Sequence, residues 1–516
     1  MAALVMAVLL VIVVRVRLLH IPLERDEGEY AYAGQLLLDG VPPYKMAYNM
    51  KLPGTYASYA AIMAVFGQTS AGIHFGFLLV NLAAPALLFF VARRLLDVPH
   101  AVVACVCYAL LSMCPGVLGL EGHATHLVVL AALGGLLLLL KARESGRLWG
   151  FGWSGIVFGL SFVCKQPGLF FGLFGLAVLL RDLEAAPAER GGRLKRIGFF
   201  CAGLALPFLL TCLLMAWAGT FGRFWFWTVV YARTHAGLLT WREGLADLAD
   251  FNQKAGALQW SWVAAAAGLL CLVRDKARSE AGFIIGCLLG FSLIAFTASF
   301  YFSRHYFIMM LPVVSLLIAV LARGAVRAMG EAVPAGCFAL ACAGFIFAHR
   351  ALWFEQTPEA ACRATYGGNP FTEAVPVAKY IQEHTSARDT IAIMGSEPEI
   401  FFYARRHSAT GYIYMYDLMQ THRYALAMQK EAIRQIEAAK PAFLVLVYVD
   451  SSWMISKNSN LAIMDWIGTY WGKYYDVAGV AWILPDRTKY VWGREAATRK
   501  FNTSLRVAIL KRRPGV

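Results

Sequence analysis

Charge is what this chain has least of. Of its 516 residues only 15% are charged, while 59% are hydrophobic. That balance excludes a soluble globular enzyme and indicates a polytopic helical membrane protein. Acids are scarcer than bases, 32 against 47. In a membrane protein such an excess gathers in cytoplasmic loops, so no nucleic-acid partner is expected. Phosphate-cradling loops are missing: there is no P-loop and no GxGxxG behind a strand, which leaves an ATP-driven or dinucleotide enzyme without support. No internal repeat is visible. No A-x-A-like cleavage site follows "MAALVMAVLLVIVV", which therefore reads as the first membrane helix rather than a signal peptide. Eleven cysteines contain no CxxC pair, and all but Cys362 lie in or beside apolar segments. They read as buried and inert, giving neither a disulfide framework nor a metal site.

What is present is a series of apolar windows, about eleven, near 1–21, 73–92, 99–117, 123–140, 149–164, 167–180, 197–217, 258–273, 281–299, 306–322 and 332–350. Pro167 is expected to break "VCKQPGLF" into two helices, because proline cannot continue the backbone ladder. Arg93/Arg94, Lys141/Arg143/Arg147, Arg181 to Arg196, Arg274/Lys276/Arg278 and Arg323/Arg327 flank alternate helix ends. Placing all of them in the cytoplasm gives one consistent orientation. The first loop (22–72), Glu121 to His126, Lys165, a second large loop (218–257), Tyr301 to Tyr306 and everything past 350 then face outward. Within these loops "YASYAAIMAVF" is too short to span and reads as an interfacial helix. The membrane part is expected over 1–350, a linker over 351–369, and an α/β domain outside the membrane over 370–516. There "TIAIMG", "AFLVLVYV", "YDVAGVAWIL" and "SLRVAIL" read as strands and "YALAMQKEAIRQIEAAK" as a helix.

The first loop opens with "ERDEGEYAYAGQ", three acids in four positions where a membrane segment ends. Asp26 with Glu29 three residues on fits a capping box. Capping does not explain Glu27, and an ionised carboxylate at a lipid boundary is costly unless it faces water or a partner. A carboxylate there needs no tuning to act as a base near neutral pH. Lys51 in "NMKLPGTYASY" is either snorkelling from an interfacial helix or functional. Lys165 in "CKQPG", between two apolar helices, is harder to explain as packing. Arg304 and His305 in "YFSRHYF" open another helix at the same side. Three cations from separate loops would cradle a phosphate. His123 and His126 in "EGHATHLVVL", with Glu121 nearby, suit substrate hydrogen bonding or structure; as metal ligands they lack a third partner.

Together these residues resemble glycosyltransferase family 39 and the related ArnT-like and protein O-mannosyltransferase enzymes. The resemblance runs through "ERDEGEYAYAGQLLLDGVPPYKMAYNMKLPGTYASYA", "FVARRLL", the lysine of "CKQPG", "SRHYFIMMLPVVSLL" and "SEPEIFFYARRHSATGYIYMYDL". It implies a GT-C fold with about eleven membrane helices and a C-terminal extracytoplasmic α/β domain, in the plasma (inner) membrane. It implies transfer of a sugar from a polyprenyl-phosphate-linked donor to a lipid, glycan or protein acceptor at the outer face. It further implies Asp26 as catalytic base, with Glu27 as the second acid of the motif. Lys51, Lys165 and Arg304 are expected to hold the lipid phosphate. Tyr30, Glu121, His123, His126, His305 and Tyr306 are expected to line the substrate or acceptor site. Where many relatives carry an acid before the fourth helix this chain has His126. Some relatives use a divalent cation and others do not, so a divalent cation is a candidate cofactor and no metal ligands are assigned.

A membrane transporter or lipid flippase without transferase activity is the alternative. It usually shows repeated halves and charges near the bilayer midplane, whereas the charges here sit at loop ends. A scaffold for envelope assembly is a third reading, and it expects Asp26→Asn to be silent.

Overall fold

The computed structural model describes residues 1–185, 190–274, 280–298 and 300–515. Lys276 and Arg278, part of the basic loop expected in the cytoplasm, lie outside the described residues. The chain opens with α1 (Ala2–Arg17), α2 (Arg25–Leu38), α3 (Pro53–Phe66), α4 (Ser70–Leu95) and α5 (Val98–Leu111). It continues with α6 (Ala124–Ser145), α7 (Leu148–Cys164), α8 (Leu169–Ala185) and α9 (Arg190–Trp217). After short α10 (Phe221–Trp225) and α11 (Ala232–Ala236) come α12 (Trp241–Lys254), α13 (Leu258–Arg274), α14 (Glu280–Thr297), α15 (Leu311–Met329) and α16 (Ala332–Arg350). Among the described residues six helices are long and apolar enough to cross a membrane, or seven if the bent pair α12 and α13 is one span. This is a multi-pass integral membrane protein. The sequence windows predicted about eleven spans. The difference arises because helix length counts as well as hydropathy: α1 has 16 residues, α5 has 14, and α7 and α8 have 17 each, short of the ~20 that cross a bilayer.

The helix break at Pro167 is observed. α7 ends at Cys164, a 3-10 turn covers Gln166–Gly168, and α8 starts at Leu169. Lys165 sits in the break in extended conformation (φ −159°, ψ 139°). α7 packs between α6 and α9 through its glycines. A Cβ at Gly155 would stand 2.1 Å from the Phe200 carbonyl oxygen, and one at Gly159 would stand 2.6 Å from that of Leu204. The spacing Gly155-x-x-x-Gly159 is the small-residue pattern that lets membrane helices touch backbone to backbone. Gly155→Val should therefore force α7 and α9 apart. The expected cost is about 1–3 kcal/mol, read as a lower melting temperature in detergent.

The stretch expected as a linker carries the helix α17 (Pro358–Tyr366); the C-terminal domain follows with α18 (Phe371–Glu383), β1 (Thr390–Met394), α19 (Glu399–Ala404) and β2 (His407–Ser408). There follow α20 (Tyr416–Met419), α21 (Ala425–Ala439), β3 (Phe443–Tyr448), α22 (Asp450–Trp453), α23 (Ala462–Tyr474), β4 (Tyr475–Ile483), β5 (Thr488–Trp492) and β6 (Arg506–Arg512). The six strands form one sheet in the order β2-β1-β3-β6-β4-β5. β2, β1 and β3 run parallel, and the remaining pairs are antiparallel. β1, β3, β4 and β6 fall on the four strand segments read from the sequence. β2 and β5, two and five residues long at the sheet edges, were not among them.

Candidate functional site

The carboxyl end of β1 runs directly into the first loop. Ser396 accepts the Arg25 Nε–H at its carbonyl (2.6 Å), and Glu397 pairs with the same guanidinium (3.1 Å). Tyr32 accepts the Ser408 N–H at its hydroxyl (2.8 Å), and the Gly411 carbonyl accepts the Tyr48 N–H (2.7 Å). α2 is thus held against the domain along its length. Gly28 makes this approach possible: a Cβ there would lie 2.6 Å from the Glu399 backbone nitrogen.

α2 starts one residue before Asp26, and its cap is Glu24 rather than Asp26. Glu24 Oε1 accepts the Glu27 N–H (2.9 Å), and Glu27 Oε2 accepts the Glu24 N–H (3.3 Å), closing the box two residues earlier than the sequence pattern suggested. Asp26 is thereby released from capping. Glu27 is fully buried and saturated: its Oε1 also accepts the Gly122 N–H (2.5 Å) and lies 3.0 Å from His74 Nε2. It pins the start of α2 to α4 and to the loop before α6.

Asp26 points to a cluster gathered from four segments. Lys51 Nζ donates to Asp26 Oδ1 (3.2 Å) and to the Tyr30 hydroxyl (3.1 Å). His305 Nε2 lies 3.8 Å from Asp26 Oδ2 and 3.2 Å from Lys165 Nζ. The His123 and His305 rings stack at 4.3 Å, and Lys165 sits over the Tyr306 ring at 4.1 Å. Glu29, one turn on, accepts the Tyr56 hydroxyl (2.5 Å) and the Tyr414 hydroxyl (3.0 Å).

Burial pushes the Asp26 carboxyl up, but Lys51, helped by His123 and Lys165, outweighs it and holds the group at about 2. The same pairing with Asp26 keeps Lys51 well above its ordinary value although burial opposes it. Lys165 goes the other way. Burial, with Lys51 as a neighbouring like charge, brings its ammonium down to about 7. Burial raises Glu29 to about 7, and burial with the Glu27 charge raises Glu121.

Of the residues singled out from sequence, Asp26, Tyr30, Lys51, His123, Lys165, His305 and Tyr306 therefore converge. Three are placed elsewhere. Arg304 spends its guanidinium on the carbonyls of Pro115 and Gly116, ordering the loop before α6. His126 is buried against Phe77. Glu121 is buried in the loop that Arg304 orders. Sequence reasoning missed the tyrosine clasp on Glu29. Its signal was present in the aromatic stretch "GYIYMYDL", which carries Tyr414.

One carboxylate and two imidazoles, from Asp26, His123 and His305, lie within 4.8 Å of one another, a potential site for a divalent cation. Among the described residues neither nitrogen of the buried His123 has a hydrogen-bond partner, and burial takes its pKa down to about 4, leaving it neutral as a ligand must be. The donor set, two nitrogens and one oxygen, fits a zinc-like or other borderline ion. Such an ion would polarise an oxygen beside Asp26. Beside His123 the other two candidate ligands come from Asp26 and His305, and His126 is not part of the set.

A sequence model of the family described as dolichyl-phosphate-mannose-protein mannosyltransferase matches residues 51–217. That segment holds Lys51, His123 and Lys165. The structure of ArnT from Cupriavidus metallidurans bound to undecaprenyl phosphate is similar at a TM-score of 0.60 and 14% identity, covering 98% of this chain and 97% of that one. The Archaeoglobus fulgidus oligosaccharyltransferase tethered with an acceptor peptide gives 0.54 and 14%, covering 96% and 74%. The same enzyme in complex with zinc and sulfate gives 0.55 and 14%, covering 95% and 73%. The chain has the fold of these membrane transferases, the GT-C architecture. The comparison with curated proteins gave no match.

Proposed function

We propose that this chain is a membrane glycosyltransferase that moves a sugar from a polyprenyl-phosphate-linked donor to a lipid, glycan or protein acceptor at the outer face of the membrane. The observation that carries this reading is the convergence of Asp26 with Lys51 and Lys165 at one end of the bundle, beneath the C-terminal domain. The acceptor's hydroxyl or amine attacks the anomeric carbon, and the bond from that carbon to the phosphate oxygen breaks. The polyprenyl phosphate leaves with the electron pair, its charge met by Lys51 and Lys165. The acceptor's proton passes to Asp26.

A carboxylate held at about 2 is always ionised but weakly basic, so its partner matters. When a lipid phosphate draws Lys51 towards itself, Asp26 loses the charge that holds it low and becomes the stronger base. Lys51 thereby couples leaving-group binding to base strength. ArnT, whose structure contains undecaprenyl phosphate, and the oligosaccharyltransferase, whose structure contains sulfate, are proteins of this fold that take up a phosphate or sulfate group, which supports an anionic ligand here.

The test is direct. Purified protein incubated with a polyprenyl-phosphate-linked sugar and envelope acceptors should release polyprenyl phosphate and label an acceptor. A transporter would leave the donor intact.

The lysine pair also fixes a pH dependence. Lys165 carries its charge below about 7 and loses it above. kcat/KM for the donor, which reports the free enzyme, should fall as pH rises through 7. Lys165→Arg, always charged, should flatten that limb. A limb of the same shape in the arginine variant would refute the assignment.

A further inference from the structure

The end of the sheet remote from the candidate site holds a cavity of about 400 Å³ that the transfer reaction does not use. The carboxyl end of β1 meets α2; this cavity lies at its amino end, beside Thr390, the start of β3 and the end of β6. A five-residue strand at ~3.3 Å per residue puts it roughly 17 Å from the Arg25 junction. Its charged lining is Arg388, Lys440, Lys511, Arg512 and Arg513 against a single acid, Asp389. With Arg513 paired to Asp476, three excess positive charges remain around one concavity, and they repel one another unless an anion enters.

Part of the lining is already engaged, and part is not. Asp389 is occupied by its own turn, accepting the Ser386 N–H at 2.7 Å. Arg513 is anchored by Asp476 (2.9 Å) and the Lys473 carbonyl (2.9 Å), and Arg512 by the Tyr475 hydroxyl (3.3 Å). Arg388, Lys440 and Lys511 present exposed heads. Lys440 closes α21 in the left-handed region, φ 46°, where glycine is the usual occupant.

We propose that this basic cavity is a binding site for a phosphate-bearing ligand, separate from the Asp26 cluster. Guanidinium forks match the oxygens of a phosphoryl group in two-pronged fashion, and the lysines add point charges. The inference stands independently of the transferase reading.

The experiment uses the full chain in neutral detergent, titrated calorimetrically with inorganic phosphate at constant ionic strength. Saturable binding is expected. The Arg388→Glu/Lys511→Glu double variant should bind at least about tenfold more weakly while melting, without phosphate, at the wild-type temperature. Lys440→Glu should weaken binding in the same direction. Lys165→Ala, in the other site, should leave this binding unchanged. Loss of binding in Lys165→Ala but not in the double variant overturns the proposal, as does a wild-type response no different from that to chloride. Nanodiscs identify the source of the phosphate. If phosphatidylglycerol, but not phosphatidylcholine, blocks inorganic phosphate, the ligand is a lipid headgroup; if neither does, it is a soluble or glycan-borne phosphate.

Discussion

Asp26→Asn should abolish sugar transfer while leaving the protein folded. The expected loss is roughly 10²–10⁴ in kcat, the range for removing a positioned general base. Donor binding should change far less, since asparagine keeps the shape and still faces Lys51. The fold should survive because Asp26 takes no part in the helix cap: Glu24 and Glu27 close that box between them. The assay is turnover with a polyprenyl-phosphate-linked donor, read beside a melting curve in the same detergent. Full turnover in the variant would remove Asp26 from the mechanism. A collapsed melting temperature would instead assign it a structural role.

Glu27, its neighbour, should give the opposite pattern. Glu27→Ala strips partners from the Gly122 N–H, the Glu24 N–H and His74 at a fully buried position. Breaking a buried charged network of this kind costs about 3–5 kcal/mol. Yield and melting temperature should fall steeply, while the activity of each surviving folded molecule stays within severalfold of wild type. Glu27→Gln, which keeps one acceptor oxygen, should recover part of the stability. Two adjacent acids of one motif then separate into a group that reacts and a group that positions it. Equal loss of turnover in both variants, at wild-type stability, would show instead that both act on the substrate.

Much of this cluster could be read from the chain because ionised groups at the ends of apolar segments need a reason to be there. Asp26, Lys51 and Lys165 stand out for that reason alone. The helix cap was misplaced because aspartate with glutamate three residues on is the ordinary signature, whereas glutamate is an unusual capping residue. The pairing of Lys165 with His305, and of His123 with the same ring, spans well over a hundred residues of sequence, and no local pattern reports it. Arg304 looked equivalent to the lysines from its place at a helix start. Only the path of the 115–116 backbone shows that its donors are already taken. In the C-terminal domain the four longer apolar strands announced themselves. β5, "TKYVW", lies at the sheet edge with little buried surface, so its residues carry no strong alternation.

Arg25, Asp26 and Glu27 are consecutive, yet each is fastened to a different body. Arg25 is gripped by Glu397 of the C-terminal domain, Glu27 by the membrane helices, and Asp26 faces the lysines between them. The C-terminal domain therefore cannot lift like a lid without pulling on the residue that carries the Asp26 carboxylate. Any tug on the C-terminal domain is delivered through Arg25 and through the Tyr414 contact with Glu29, one on each side of Asp26, to the aim of that carboxylate.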